Sequence, residues 1–274
     1  MVLSLAGENV TANLDAGKPT AVIWLAEHLD RLGFPEAQSD LLAQRRLQRR
    51  ADTKFIFGLE SLREILATRI EDFALVRANG LALANYGNLY FDTQDHRCLH
   101  DHHRGRRDRY KVRIRHHLDR RMSSLEIKCK TRADLTVKVR HELPFGQEAF
   151  GHEHRAFIEA NSPLDFDALQ PALRVDFCRL TLVGKEEEER VTFDVWLRFQ
   201  GGGRFQQLPD RLVVCEVKQP RFRARSPLML ALRQHGIRPY RLSKYCAAAS
   251  YLQPALGLKR FRPYARDIER AARR

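Results

Sequence analysis

The chain has 274 residues and an apolar content of 43%, enough for one large domain, or two small ones, with a true core. Its 48 Lys and Arg outnumber its 34 Asp and Glu, and the resulting formal charge of +14 calls for an acidic partner: nucleic acid, a membrane surface or a phosphorylated small molecule. Five scattered cysteines with no C-x-x-C pair suggest neither a disulfide framework nor a zinc ribbon, and no apolar run is long enough to span a bilayer.

Residues 1–46 read as a helical extension. Ala21-Val-Ile-Trp-Leu-Ala-Glu-His-Leu-Asp-Arg-Leu has helical spacing, and Gly33 and Pro35 stop it. A further helical turn or two is expected over 41–50, ending in the basic run Arg45-Arg-Leu-Gln-Arg-Arg50, which reads as a solvated face. A strand over 50–57 puts Arg50, Asp52 and Lys54 on one side. An amphipathic helix over 59–74 carries Leu62, Ile65, Leu66 and Ile70 along its stripe. A strand at 87–93 follows, then a polar loop over 94–107 rich in His and Arg. Its run His100-Asp-His-His103, with His96 nearby, has adjacent rather than spaced ligands, and it reads as part of a basic rim with Arg104, Arg106 and Arg107.

Next comes a series of stretches in which charged and apolar residues alternate. Asp108-Arg-Tyr-Lys-Val-Arg-Ile-Arg115 puts Arg109, Lys111, Arg113 and Arg115 on one face and Tyr110, Val112 and Ile114 on the other. Leu125-Glu-Ile-Lys-Cys-Lys130, Thr136-Val-Lys-Val-Arg140, Arg190-Val-Thr-Phe-Asp-Val-Trp-Leu-Arg198 and Leu212-Val-Val-Cys-Glu-Val-Lys218 repeat the pattern. Between them a loop is expected over 143–151, a short helix over 152–161, a strand over 173–183 and a charged turn over 184–189. Gly201-Gly-Gly203 and Pro209 mark a turn before Leu212. Helices are expected over 227–236 and, as the last element, over 243–252.

Many antiparallel strands with few helices between them exclude a doubly wound parallel sheet and leave a half-open sheet or a closed barrel. If the apolar face is outside, the helices near residues 60, 230 and 245 cover it, and the cationic face becomes a lumen. Alternating charge is ordinary on the wet face of a single strand. On at least four strands, however, the charges are mainly positive, and like charges on neighbouring strands repel unless an anion sits among them. Arg and Lys in such numbers suit phosphate oxygens, and sparse carboxylates suit Mg²⁺ or Mn²⁺ bridging those phosphates. Lys130, Arg140 and Lys218 belong to this face by alternation alone.

The ordered series Asp52-Thr-Lys54-Phe, Tyr90-Phe-Asp-Thr93, Lys111-Val-Arg113-Ile-Arg115, Leu125-Glu-Ile-Lys128-Cys-Lys130, Val137-Lys138-Val-Arg140, Arg190-Val-Thr-Phe-Asp194, Glu216-Val-Lys218 and Ser243-Lys244-Tyr245 resembles the VTC domain. That is the polyphosphate polymerase domain of the vacuolar transporter chaperone family, within the triphosphate tunnel (CYTH-like) superfamily. The resemblance covers roughly residues 48–262. It implies an α+β fold: an eight-stranded antiparallel β tunnel with a basic lumen and a few flanking helices. It also implies phosphoryl transfer from ATP to a growing polyphosphate chain, with Mn²⁺ or Mg²⁺. Lys54, Arg113, Arg115, Lys128, Lys138, Arg179 and Arg190 match phosphate-handling positions. Glu216 matches the metal-binding glutamate, Ser243 and Lys244 the S-K pair, and Arg241 a further basic position.

No phosphate-sensing SPX domain is expected in the roughly 46 residues before the tunnel segment, and the chain resembles the stand-alone bacterial type. The expected divisions are 1–46 as a helical extension, 47–262 as the tunnel domain and 263–274 as a basic tail. A triphosphatase of the same fold is the alternative, although the stretch Arg50-Ala-Asp52-Thr-Lys54 has one acid where the CYTH phosphatases carry two. A non-catalytic polyphosphate or nucleic-acid binder is the other. The expected partners are ATP and polyphosphate, with no specific nucleic acid. The expected setting is cytoplasmic, with no membrane segment but room for a membrane-protein partner.

Overall fold

Residues that alternate along the sequence alternate across one antiparallel sheet. The computed structural model describes residues 17–45, 51–131 and 136–273. In chain order the elements begin with α1 (Thr20–Leu32), α2 (Ser39–Gln44), β1 (Ala51–Gly58), α3 (Leu59–Ala67), β2 (Phe73–Leu75) and β3 (Leu83–Asp92). Then come α4 (Arg97–Arg104), β4 (Arg109–His117), β5 (Met122–Lys130), β6 (Thr136–Leu143), α5 (Arg155–Asn161) and β7 (Gln170–Gly184). β8 (Arg190–Gly201), β9 (Arg204–Gln207), β10 (Leu212–Gln219), α6 (Pro227–Gln234), α7 (Lys244–Leu252) and α8 (Pro263–Ala272) complete the chain.

Eight strands pair in the order β1-β10-β8-β7-β3-β4-β5-β6, with β2 added to β7 and β9 to β8. The eight-stranded path matches the expected tunnel wall. Closure into a barrel does not occur: among the described residues β6 and β1 do not pair. On β1 the Lys54 carbonyl accepts from the Tyr240 amide at 2.7 Å, which occupies a pairing position that a closing strand would need. The far edge, β6, is exposed along most of its length.

The convex face is apolar in two blocks. Phe55, Phe57, Leu180, Leu182, Phe193, Val213, Cys215 and Val217 pack under α1 (Val22, Leu25, Leu29), α3 (Leu62, Ile65, Leu66) and α6 (Leu228, Leu232). Val112, Ile114, Leu125 and Ile127 pack under Ile158 of α5. Each such fully buried side chain stabilises the fold by roughly 1.5–3 kcal/mol before entropy is counted.

Four expectations are corrected. The helix after β1 ends at Ala67, because residues 73–75 turn back to pair with β7. The polar loop contains α4, whose second and third amides, those of Cys98 and Leu99, donate to the Asp92 carboxylate at 2.8 and 3.0 Å. That cap comes from the end of β3, outside the helix's own sequence. The Gly-rich turn folds into β9, and a further helix, α8, follows the expected last one, burying Tyr264, Ile268, Ala271 and Ala272.

The helix near residue 245 lies on the opposite side from its expected place. α7 packs on the same face as the charges, against Tyr90, Leu173, Val175, Phe177, Leu197 and Phe199. Two features produce this. Along β7 the concave positions run Arg179, Phe177, Val175, Leu173, so one strand face changes from cation to hydrocarbon. A bulge in β8 then shifts the register between Asp176 and Cys178, with Trp196 at φ 52°. Beyond it the concave positions become Leu197 and Phe199, and Arg198, expected with the charges, turns outward over the Trp196 ring at 3.8 Å. The concave face is therefore charged along β1, β10, β4, β5 and β6, and floored with hydrocarbon where α7 lies.

Candidate active site

Three carboxylates organise the charged face, each clasped by cations from neighbouring strands. Glu126 of β5 stands opposite Arg113 of β4 in the ladder. Arg113 donates to Glu126 Oε2 through Nε (2.9 Å) and Nη2 (2.6 Å), and to the Tyr90 hydroxyl through Nη1 (2.9 Å). Lys138 of β6 reaches Glu126 Oε1 at 2.5 Å along the diagonal. Arg115 lies 3.8 Å from Glu126 and donates from Nε to Asn88 Oδ1 at 2.8 Å.

On the other wall Lys54 of β1 stands opposite Glu216 of β10, 3.5 Å away, and Lys218 approaches the same carboxylate at 2.7 Å. Between the walls, Arg179 of β7 grips Asp194 of β8 in a two-pronged pair (2.5 and 2.8 Å). Lys244, the first residue of α7, joins Asp194 at 2.5 Å. So the helix that floors the face also delivers a cation to it.

The two walls face each other. β5 is seventh and β10 second along the path, yet Lys128 of β5 is influenced by Glu216, Lys54 and Asp52. Such coupling requires the sheet to curl into a channel. Burial, partly offset by Glu216, pushes Lys128 down to about 8. Burial, with the charges of Lys128, Lys54 and Arg109 nearby, pushes Lys111 down to about 7. Lys138 falls to about 8 for the same reason, with Glu126 opposing it, and Lys218 and Lys244 are also lowered by burial. The carboxylates move the other way from what burial alone would do. Desolvation would raise them, but Arg115, Arg113 and Lys138 hold Glu126 far below the usual range, and Lys218, Lys54 and Lys128 do the same to Glu216. Arg179 and Lys244 hold Asp194 at about 2.

Of the residues expected from sequence, the structure brings Lys54, Arg113, Arg115, Lys128, Lys138, Arg179, Glu216, Lys218 and Lys244 to this channel. Arg190 stands in the ladder opposite Lys218, half-buried. Lys130 is half-buried at the end of β5, opposite Arg109 and Thr136. Arg140 and Arg241 are exposed. The Ser243 hydroxyl accepts from the Cys246 amide at 3.4 Å, capping α7. Residues 46–50, within the expected basic run, lie outside the described residues.

Several channel residues were not singled out from sequence. Tyr86 stacks on Phe177 at 5.4 Å, with the guanidinium groups of Arg115 and Arg179 over its ring at 5.5 and 5.2 Å. Asn88 and Tyr90 alternate within the strand expected at 87–93, and Tyr86 joins them because β3 begins at Leu83. The His-rich segment turns out to flank the channel: burial and the charges of Lys111 and Arg109 push His102 down to about 2.

A divalent ion would need donors other than these pairs. Among the described residues no three His, Cys, Asp or Glu side chains converge to hold a metal. The surroundings of Glu216 nevertheless offer its carboxylate and the buried Thr192 hydroxyl opposite it in the ladder, which has no hydrogen-bond partner among the described residues. That donor set fits an ion that arrives with phosphate oxygens filling most of its shell.

A family model described as the VTC domain matches residues 49–253. The chain belongs to the VTC domain family. No curated protein matches this VTC domain. Solved structures similar to it include a putative adenylate cyclase from Bacillus halodurans (12% identity, 72% of this chain and 94% of that chain, TM-score 0.45). A putative adenylyl cyclase from Hippeastrum, described as having a dominant triphosphatase activity, is 14% identical over 74% of this chain and 96% of its own, with a TM-score of 0.44. The S. pombe Pct1 RNA triphosphatase is 11% identical over 93% of this chain and 94% of that chain, with a TM-score of 0.29.

Proposed function

We propose that this VTC domain transfers the terminal phosphoryl group of ATP to the end of a growing polyphosphate chain laid along the channel. The observation that carries the reading is the set of three carboxylates, each clasped by cations on walls that face one another. Glu126, Glu216 and Asp194 act as internal counter-ions to these cations. A phosphoanhydride offers oxygens at closer spacing, and Arg113, Arg115 and Arg179 present forks that suit them. Lys111 and Lys128, lowered by burial, become fully charged once an anion lies beside them.

The chemistry needs position and charge rather than a protein nucleophile. An oxygen of the acceptor phosphate forms a bond to the γ-phosphorus, the bond from that phosphorus to the β,γ-bridging oxygen breaks, and ADP leaves with the electron pair. That acceptor oxygen is already ionised, so no general base is required. Hydrolysis would require the attacking water to lose a proton, a step that transfer does not contain. Lys54, Arg113, Arg115, Lys128, Lys130, Lys138, Arg140, Arg179, Arg190, Lys218, Arg241, Ser243 and Lys244 are the proposed substrate-handling set. Glu216 would hold Mg²⁺ or Mn²⁺, whose contribution is to neutralise charge across the phosphates.

Incubation of the protein with ATP and Mn²⁺ should yield ADP and phosphate chains of growing length by mass analysis. Release of orthophosphate with no chain would replace the polymerase reading with a triphosphatase. Glu216→Gln should abolish turnover while leaving tripolyphosphate binding intact or tighter; unchanged turnover would remove Glu216 from the mechanism.

A further inference from the structure

The charge of this chain is not confined to the channel. Residues 217–266 contain twelve Lys or Arg and no Asp or Glu. The channel uses Lys218 and Lys244 from this stretch. Most of the rest lies on the surface, with its densest part in the loop 220–226 between β10 and α6. There Arg221, Phe222, Arg223, Ala224 and Arg225 are all exposed in succession, and Phe222 is 58% exposed.

The outward position of Phe222 is built in rather than a loose end. The loop is pinned at its base: the Arg223 amide donates to Gln219 Oε1 at 3.0 Å, and Gln219 Nε2 donates back to the Arg223 carbonyl at 3.3 Å. Gln219 Nε2 also donates to the Ser226 hydroxyl at 2.8 Å, and the Arg223 side chain pairs with Glu187 of the β7–β8 turn. Those contacts hold the chain on either side of Phe222 while its ring faces water. On α6, which follows directly, Leu228, Met229, Ala231 and Leu232 face the core. Leu230 is 37% exposed and shares the outer face with Arg233, three residues on.

We propose that this loop, with the outer face of α6, docks the protein peripherally on an anionic lipid surface. Arg221 and Arg225 meet headgroup phosphates, and Phe222, with Leu230, enters the boundary between headgroups and acyl chains. Arginine beside exposed hydrocarbon is the combination that such an interface rewards. Polyphosphate alone would leave Phe222 without a role, since it has no apolar part. A single-stranded nucleic acid would call for successive aromatic platforms, whereas here one ring is accompanied by an aliphatic side chain. No helix among the described residues is long and apolar enough to cross a membrane. This inference stands independently of the reaction proposed for the channel.

The test is co-sedimentation of the full chain with phosphatidylcholine vesicles, with and without phosphatidylglycerol. The protein should sediment only when phosphatidylglycerol is present, and less so as salt rises. Phe222→Ser should weaken binding by about tenfold, and Arg221→Ser and Arg225→Ser by about fivefold each. All three sites are exposed, so melting should be unchanged. Failure to sediment with phosphatidylglycerol vesicles would overturn the proposal. So would wild-type binding by Phe222→Ser, which would leave charge as the sole cause. Retention of a single-stranded oligonucleotide that depends on Phe222, without vesicle binding, would make the surface a nucleic-acid interface instead.

Discussion

Lys54, Arg113, Arg115, Lys138, Arg179, Lys218 and Lys244 each stand within 4 Å of a carboxylate, in the place proposed for a phosphate. Glu126 shows the consequence most plainly: it is buried and holds Arg113, Arg115 and Lys138 together. Glu126→Gln leaves those cations without a counter-ion, and breaking a buried pair in this way should cost about 3 kcal/mol in denaturant unfolding. Tripolyphosphate should restore much of that loss, so that its stabilising effect is larger on the variant than on the parent. Equal stabilisation of both would show that Glu126 does not occupy the anion's place. At this scale the sequence was highly legible for Arg113, Arg115, Lys128, Lys138 and Lys218, because a period of two assigns faces without knowledge of the fold. It was poorly legible for Tyr86, since its strand begins four residues before the apparent start at Gly87. A neutral aromatic and an amide such as Asn88 also give no charge signal.

At the scale of elements, the unforeseen feature is the helical floor. Helix periodicity shows that α7 is a helix but not which side of the sheet it joins. The side was decided by the change from Arg179 to Phe177 along β7 and by the bulge at Trp196, and a bulge has no reliable sequence mark. α4 was missed for a related reason, its cap being Asp92 on the preceding strand. Phe177 joins floor to channel: it packs in the α7 cluster, stacks on Tyr86 and lies 5.1 Å below both Arg179 and Lys244. Phe177→Ala should therefore destabilise the protein by about 3–5 kcal/mol, read from the shift of its denaturant midpoint. A loss well under about 1 kcal/mol would mean that α7 does not pack on this face as described.

For the whole molecule, the curled but unclosed sheet places desolvated lysines beside carboxylates that remain ionised, and pH acts on the two in opposite directions. Asp194, held at about 2, contributes stability that is present above the ordinary carboxylate range and is lost as pH falls toward that value. The lysines carry a cost instead. Lys111 at about 7, with Lys128 and Lys138 at about 8, is disfavoured in its charged folded form. That cost is present below those values and is relieved as pH rises through them, because the unfolded chain still holds the protons. Between about pH 6 and 9 the ligand-free protein should therefore melt at a higher temperature as pH rises. The increment in melting temperature produced by tripolyphosphate should shrink over the same range. A constant increment would show that these lysines do not contact the anion.

In the proposed reaction the charged face, and not the basic surface at large, grips a phosphoanhydride. Calorimetric titration of tripolyphosphate tests it most directly, with Arg113→Ala and Arg179→Ala compared against Arg155→Ala on α5, whose side chain pairs with Glu159 and Asp167 away from the channel. Each channel variant should bind at least about tenfold more weakly than the parent, and Arg155→Ala should bind as the parent does. Undiminished binding by Arg113→Ala and Arg179→Ala, or an equal loss in Arg155→Ala, would contradict the account.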